Sequence, residues 1–139
     1  MIGILVVTHG DVARALVECA VHILGPLEAV RALEIDADDN HDVALGRIRG
    51  SIKELGTADG VLVLTDMFGG TPSNVSLTLL DPGKIEVISG VNMPMLLHAI
   101  TARERGLILA ELARGASASA CKNIIVAGAL LDDGAAATE

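Results

Sequence analysis

The chain contains 139 residues, of which 51% are hydrophobic, and its formal net charge is −8. This length fits one compact domain, and the acidic balance disfavours nucleic acid or an anionic membrane surface as a partner. The first residues lack the basic segment of a signal peptide, and no apolar run has the roughly 18 residues that a membrane span needs. We therefore expect a cytoplasmic protein that does not insert into a membrane.

Composition also constrains the interior of the protein. Phe68 is the only aromatic residue, so the core is expected to be aliphatic. The two cysteines, Cys19 and Cys121, show no CxxC spacing. That pattern is typical of reduced thiols in a cytoplasmic protein, and we expect both side chains to be buried.

Hydrophobic periodicity predicts strands that alternate with helices along the chain. Residues 2–8 are nearly all apolar and β-branched, which is typical of a parallel strand covered on both faces. The predicted strands cover residues 2–8, 28–35, 60–65, 84–89 and 121–127, and the predicted helices cover 11–24, the stretch from the 36–40 turn to 55, 71–80, and the region through about 117. We expect one domain over residues 1–130, followed by an acidic, alanine-rich tail over residues 131–139 that frays.

This alternation predicts an α/β fold with one open, mostly parallel sheet and helices on both faces. Chains of this kind adopt either a flavodoxin-like or a Rossmann-like strand order. We predict the flavodoxin-like order 2-1-3-4, with the fifth strand at an edge. In that order the first and third strands are neighbours at the point where the strand order reverses, which is where such folds bind ligands.

Two polar residues follow the strands that this order brings together. His9 ends the first strand, and Asp66 comes directly after the third. Because neighbouring strands lie roughly 4.8 Å apart, the two side chains are expected to reach each other. A carboxylate that accepts a hydrogen bond from one imidazole nitrogen fixes the tautomer and leaves the other nitrogen as a neutral nucleophile.

The residues after Asp66 favour binding of an anion. Gly69 and Gly70 allow backbone N–H groups to approach a charged ligand, and Thr71-Pro72 is predicted to begin a helix, with Pro72 at its first position. The start of that helix would add free N–H donors, including that of Ser73, and a partial positive charge. The Thr71 hydroxyl is expected either to cap the helix or to bond a phosphoryl oxygen.

Other kinds of catalytic site are missing from the sequence. There is no GxSxG turn, no GxxxxGK[ST] loop, no GxGxxG motif and no set of residues with metal-ligand spacing. What remains is an imidazole that accepts a phosphoryl group and passes it on, a reaction that depends on alignment and anion stabilisation. This mechanism requires neither a metal nor an organic cofactor.

Three loops carry a resemblance to a known family. They are residues 8–10, residues 66–72 with the pattern Asp-x-Phe-Gly-Gly-Thr-Pro, and residues 90–95 with Gly-Val-Asn-Met-Pro-Met. Over roughly residues 1–127 the chain resembles the IIA component of the mannose family of the bacterial sugar phosphotransferase system. The resemblance implies that His9 is phosphorylated, that Asp66 is its hydrogen-bond partner and that Thr71 contributes near the phosphoryl group.

The resemblance also implies partners. In that family the phosphocarrier protein HPr donates the phosphoryl group and a IIB component accepts it, in association with a IIC/IID permease. Many members fuse IIA to IIB, whereas this sequence ends after its fifth predicted strand, so we expect IIB to be a separate chain. The family is usually a homodimer that exchanges the last strand as an antiparallel edge, and the same is expected here.

Four residues are candidates for docking the partner. Met67, Phe68, Asn92 and Met93 lie on two loops at the same predicted sheet edge, where they would form an apolar rim for HPr. Residues of these types are otherwise found in the core, and Asn92 could instead hold its own loop through an Asx turn.

Two alternative functions remain open. The protein could be a regulator with the same fold that senses the phosphorylation state of HPr without a sugar permease of its own. It could also be a receiver-like or flavin-binding module. A receiver would carry an acidic pair where this chain has His9-Gly10, and a flavin binder would normally offer more aromatic faces than the single Phe68.

Overall fold

The computed structural model describes residues 1–56 and 58–137, with side chains described as far as residue 132. Within these residues, four parallel strands form one sheet in the order β2-β1-β3-β4. The strands are β1 (Gly3–His9), β2 (Val30–Ile35), β3 (Val61–Thr65) and β4 (Ile85–Ser89); the helices are α1 (Val12–Leu24), α2 (His41–Leu55), α3 (Gly70–Leu77), α4 (Met93–Ala102), α5 (Leu109–Lys122) and α6 (Ala127–Ala137), with a short 3-10 helix at Arg103–Arg105. The predicted parallel sheet and its order 2-1-3-4 are confirmed.

Helices cover both faces of the sheet, which explains the unbroken apolar runs of the central strands. Ile4 and Val6 of β1 pack into the layer that contains α1, α4 and α5. Leu5 and Val7 point to the other face, where α2 and α3 lie. Successive side chains of a strand alternate between faces, so a strand covered twice requires apolar residues at every position.

Polar side chains determine where several helices begin. The Asn40 side chain accepts a hydrogen bond from the backbone N–H of Val43, at 2.9 Å, at the start of α2. At the start of α1, the buried Thr8 hydroxyl accepts from the N–H of Ala13 at 2.7 Å. Because Thr8 is the last buried residue of β1, this bond fixes the short connection that carries His9.

A buried arginine holds together the opposite, amino-terminal edge of the sheet. The Arg103 guanidinium donates to the carbonyl of Ile2 at 2.9 Å and to that of Glu28 at 2.5 Å. These carbonyls precede β1 and β2. Burial lowers the pKa of Arg103 from its ordinary value, although nearby Glu104 and Glu28 act in the opposite direction. The amino-terminal edge is thus cross-linked, and the carboxyl-terminal edge remains open for ligands.

Within the described residues of a single chain, the predicted fifth strand over residues 121–127 is not formed. The helix α5 continues through Lys122, and α6 begins at Ala127. The β-branched segment between them, Ile124 to Val126, is exposed and pairs with none of the described strands. Such residues form a strand only where a neighbouring strand pairs with their backbone N–H and C=O groups. Among the described strands, β4 is the outer strand on this side, and its outer edge is not paired with another strand.

The predicted burial of the two cysteines also fails. Cys19 and Cys121 are both exposed, because each lies on the outer side of its helix rather than in the core. The boundary placed between residues 130 and 131 falls inside α6, so the start of the predicted tail is helical; residues 138 and 139 of that tail lie outside the described residues. Among the helices described, none combines the length and the apolar character needed to cross a bilayer.

Candidate functional site

The contact expected between His9 and Asp66 is present at the carboxyl-terminal edge of the sheet. Strands β1 and β3 are paired, with Val7 opposite Thr65, so both chains leave the sheet at neighbouring points. The imidazole Nδ1 of His9 lies 2.7 Å from Oδ2 of Asp66. The strand order is therefore what joins residues that are 57 positions apart in the sequence.

The carboxylate of Asp66 is held by the backbone as well as by the imidazole. Its Oδ2 accepts a hydrogen bond from the backbone N–H of His9 at 3.0 Å, and its Oδ1 accepts from that of Met67 at 3.1 Å. An ionised carboxylate only accepts hydrogen bonds, so the proton between the two side chains belongs to Nδ1. It follows that neutral His9 carries its free lone pair on Nε2.

The side chains of His9 and Asp66 differ in exposure, which suits their different roles. The His9 side chain is 50% exposed, whereas that of Asp66 is 19% exposed. The partly buried carboxylate can therefore orient the ring, while the ring still reaches solvent and a partner protein.

Gly70 lies against the free side of the imidazole. Its backbone has a φ of +81°, and a Cβ at this position would lie 2.9 Å from Cε1 and 3.0 Å from Nε2 of His9. Any larger residue would therefore collide with the ring and would also have a strained backbone. Only glycine lets the start of α3 approach Nε2 so closely.

The start of α3 provides the anion-binding features of the site. The helix begins at Gly70, after Gly69, and no side chain caps it. The first N–H groups of a helix have no partner within the helix and carry a partial positive charge. This first turn therefore offers hydrogen-bond donors beside His9, as is common where helices bind phosphate.

The details of this helix differ from the prediction. Since α3 starts at Gly70, Pro72 occupies the third helical position rather than the first, and Thr71 is not the capping residue. Ser73 is fully buried, and its Oγ lies 3.2 Å from that of Ser89. The Ser73 hydroxyl therefore faces the interior of the protein and not the exposed nitrogen of His9, while Thr71 remains partly exposed.

Only two of the four candidate docking residues lie at the surface. Phe68 is 79% exposed and Met67 is 53% exposed. Asn92 is half-buried: its side chain accepts from the N–H of Met95 at 3.0 Å and donates to the carbonyl of Ala120 at 3.2 Å. The half-buried Met93 packs against the hydrophobic core. Asn92 and Met93 therefore make contacts within the protein and are less available to a partner than Met67 and Phe68.

Sequence reasoning overlooked the threonine that precedes each site residue. Thr8 and Thr65 are both fully buried at the ends of otherwise apolar strands. The Thr8 hydroxyl donates to the carbonyl of His9 at 3.2 Å, and the Thr65 hydroxyl donates to the hydroxyl oxygen Oγ of Ser89 at 3.0 Å. The signal that could have revealed them is a single polar residue at the last position of a buried strand.

The tautomer of His9 provides a direct test of this geometry. In the Asp66→Ala variant, loss of a charge-assisted hydrogen bond worth about 1.5–3 kcal/mol should shift the Nδ1–H to Nε2–H ratio by about 10- to 100-fold toward Nε2–H. Two-bond ¹H–¹⁵N NMR at alkaline pH, where imidazoles are neutral, measures the ratio. The exposed His22 serves as the internal control and should not change. A wild-type His9 protonated on Nε2 would contradict the assignment.

Comparison with known proteins identifies the family to which the chain is similar. The family described as "PTS system fructose IIA component" (EIIA-man) matches residues 3–116. The mannose-specific EIIAB component of the phosphotransferase system (PTS) of Escherichia coli K12 is 36% identical over 104 residues, which cover 74% of this chain and 32% of that protein. The fructose-specific EIIA component of Bacillus subtilis is 29% identical over 105 residues, or 75% of this chain and 72% of the relative.

A solved structure extends the similarity to the fold. The phosphotransferase system component EIIA from Streptococcus agalactiae superposes with a TM-score of 0.84 at 28% identity, covering 93% of this chain and 99% of the other. The present chain spans about a third of the length of the Escherichia coli relative. The match to residues 3–116 and these relatives lead to one conclusion: the chain belongs to the EIIA-man family of phosphotransferase-system IIA components.

Proposed function

We propose that His9 is a phosphoacceptor that takes a phosphoryl group from phosphorylated HPr and passes it to a IIB component during sugar uptake. The observation that carries this proposal is the 2.7 Å contact between Nδ1 of His9 and Asp66, which leaves Nε2 free beside the first turn of α3. Membership of the IIA family supports the choice of partners. With these partners, we propose that the reaction takes place in the cytoplasm.

The proposed step is an exchange between two imidazoles. The lone pair of Nε2 attacks the phosphorus carried by a histidine of the donor, a new N–P bond forms, and the donor's N–P bond breaks. The bonding electrons return to the donor ring, and each ring keeps its own N–H proton. The reverse exchange with an acceptor group on IIB regenerates free His9.

The residues around His9 have separate roles in this step. The ring gains positive character when Nε2 bonds phosphorus, and the adjacent carboxylate of Asp66 stabilises that charge. The N–H groups at the start of α3, beside Gly69 and Gly70, receive the phosphoryl oxygens. Thr71 is the side chain proposed to assist them, since it is partly exposed in the same turn.

We propose Met67 and Phe68 as the apolar contact for the partner proteins. They directly follow Asp66 and are strongly exposed, although large apolar side chains are normally buried. They follow directly on the residue that holds the His9 ring, so they are the exposed apolar side chains that we propose a partner covers when its own histidine approaches Nε2.

We also propose that the protein is a homodimer. The exposed segment from Ile124 to Val126 is β-branched and unpaired, and β4 leaves a free edge on the sheet. If two copies exchange this segment, the segment of one copy can lie along β4 of the other. The backbone hydrogen-bonding groups of the segment and those of the β4 edge would then be paired with each other.

Replacement of the phosphoacceptor tests the central proposal. His9→Ala should abolish labelling by ³²P-phosphorylated HPr and leave the fold intact, because no other imidazole is held beside Asp66. The control is His22→Ala, which removes an exposed histidine of α1 and should label like the wild type. The measurement is acid-labile ³²P incorporation together with circular dichroism. Full labelling of His9→Ala would refute the proposal.

Truncation of Phe68 tests the docking surface. Because buried aromatic anchors at interfaces contribute about 2 kcal/mol or more, Phe68→Ala should raise the half-saturating concentration of phosphorylated HPr about 30-fold or more, with little change in the maximal rate. Leu80→Ala is the control, since Leu80 is half-exposed in the turn before β4, at the opposite edge of the sheet. An unchanged half-saturating concentration would rule out this surface.

Charges in the exposed segment test the dimer. Ile124→Lys combined with Val126→Lys should convert a dimer into monomers, because lysines would have to be buried at the exchanged edge. Analytical ultracentrifugation measures the change, and Val43→Lys on the exposed side of α2 is the control. A wild-type protein that sediments as a monomer would contradict the proposal.

A further inference from the structure

Three hydroxyl groups, two of them on fully buried residues, form a connected chain near the site. The Thr65 hydroxyl donates to Oγ of Ser89 at 3.0 Å, and Oγ of Ser89 lies 3.2 Å from Oγ of Ser73. Thr65 and Ser73 are fully buried, and Ser89 is half-buried. We call these three residues the hydroxyl chain; it connects the end of β3, the end of β4 and the first turns of α3.

Core stability does not explain these hydroxyls. Central strands covered on both faces normally carry apolar residues, and the rest of β3 does so. A buried hydrogen bond contributes only about 1 kcal/mol net, and replacing both partners with apolar groups of the same shape is close to neutral. Valine and alanine would therefore serve packing at these positions equally well.

The position of the hydroxyl chain relates it to the reacting groups. Thr65 directly precedes Asp66, and its carbonyl accepts hydrogen bonds from Gly90 and Val91, both at 2.9 Å. Ser73 lies one turn along α3 from Gly70, the residue that contacts the imidazole. The chain thus connects the segment that holds the carboxylate to the helix start that faces Nε2.

Among the described residues, the Ser73 hydroxyl makes the one side-chain hydrogen bond in the first turns of α3. No side chain caps it, and its buried residues are Pro72, Ser73, Val75 and Ser76. Of these, Val75 is the member of the hydrophobic core on that face of the sheet. The Ser73 hydroxyl is therefore the directional contact that fixes how the first turn sits relative to β3 and β4.

We propose that Thr65, Ser89 and Ser73 are positioning residues for phosphoryl transfer, an inference that rests on the proposed phosphoacceptor role of His9. The hydroxyl chain holds the backbone N–H donors at the start of α3 in a fixed position relative to the His9–Asp66 pair. Its loss lets the helix start move, which misaligns the donors when phosphorus bonds Nε2. Transfer rates depend steeply on such alignment, since a displacement of about 1 Å can cost about 100-fold.

The structure supplies a matched control within the same helix. Ser76 is also a fully buried serine of α3, one turn beyond Ser73, but its hydroxyl has no hydrogen-bond partner among the described residues. Ser73→Ala and Ser76→Ala remove the same atom from the same helix at the same depth. Only the first of them breaks the hydroxyl chain.

Rapid-quench labelling of the full chain by ³²P-phosphorylated HPr separates alignment from binding. Ser73→Ala should lower the maximal rate about tenfold and leave the half-saturating HPr concentration unchanged, since it acts on alignment and not on docking. Ser76→Ala should match the wild type in both. Thr65→Val should slow transfer as well, and Thr65→Ser, which keeps the hydroxyl, should restore most of the rate.

The outcomes of this labelling experiment distinguish failure of the positioning role from failure of the proposed function. Equal rates for Ser73→Ala and wild type, equal slowing of both alanine variants, or a change confined to the half-saturating concentration would overturn the positioning role and leave the proposed function standing. If wild-type protein takes no label from HPr or from phosphoramidate, a small donor that phosphorylates imidazoles, the proposed function fails and this inference fails with it. Should Ser73→Ala not fold, the comparison of Thr65→Val with Thr65→Ser decides instead.

Discussion

The hydrogen bond between Nδ1 of His9 and Asp66 is the contact on which the rest of the site depends. It determines where the imidazole proton resides and hence which nitrogen can react. The bond forms because parallel pairing of β1 and β3 brings the ends of both strands to one edge. A carboxylate already held by two backbone N–H groups presents a fixed acceptor, so the ring is oriented before any partner arrives.

The two edges of the sheet serve different physical needs. At the amino-terminal edge, the buried Arg103 donates hydrogen bonds to backbone carbonyls ahead of β1 and β2, and these bonds hold the starts of the two strands together. At the carboxyl-terminal edge, Thr8 directly precedes His9, the last residue of β1, and Asp66 directly follows Thr65, the last residue of β3. Rigidity at one end lets short connections at the other present side chains with little freedom, as alignment-dependent chemistry requires.

Local patterns in the sequence (apolar runs, turn residues and polar residues after strands) predicted the alternating strands and helices, and few strand orders accommodate that alternation, so the sheet order and the His9–Asp66 contact followed from them. The prediction failed where no such general rule of topology fixes which side chains or segments meet. The segment from Ile124 to Val126 has the composition of a strand but no partner among the described strands. The contact of the buried Ser73 hydroxyl with Ser89 is another such case, because sequence spacing does not show which side chains meet in the interior.

A carrier of phosphoryl groups has to bind the group without retaining it, and the composition of this site suits that requirement. The protein has a net charge of −8, yet among the described residues no lysine or arginine forms an ion pair with Asp66 or His9. The donors are backbone N–H groups at the start of a short helix, whose partial charge gives modest stabilisation. A full cation would bind the phosphoryl oxygens more tightly in the loaded state, and that added ground-state stability would slow onward transfer.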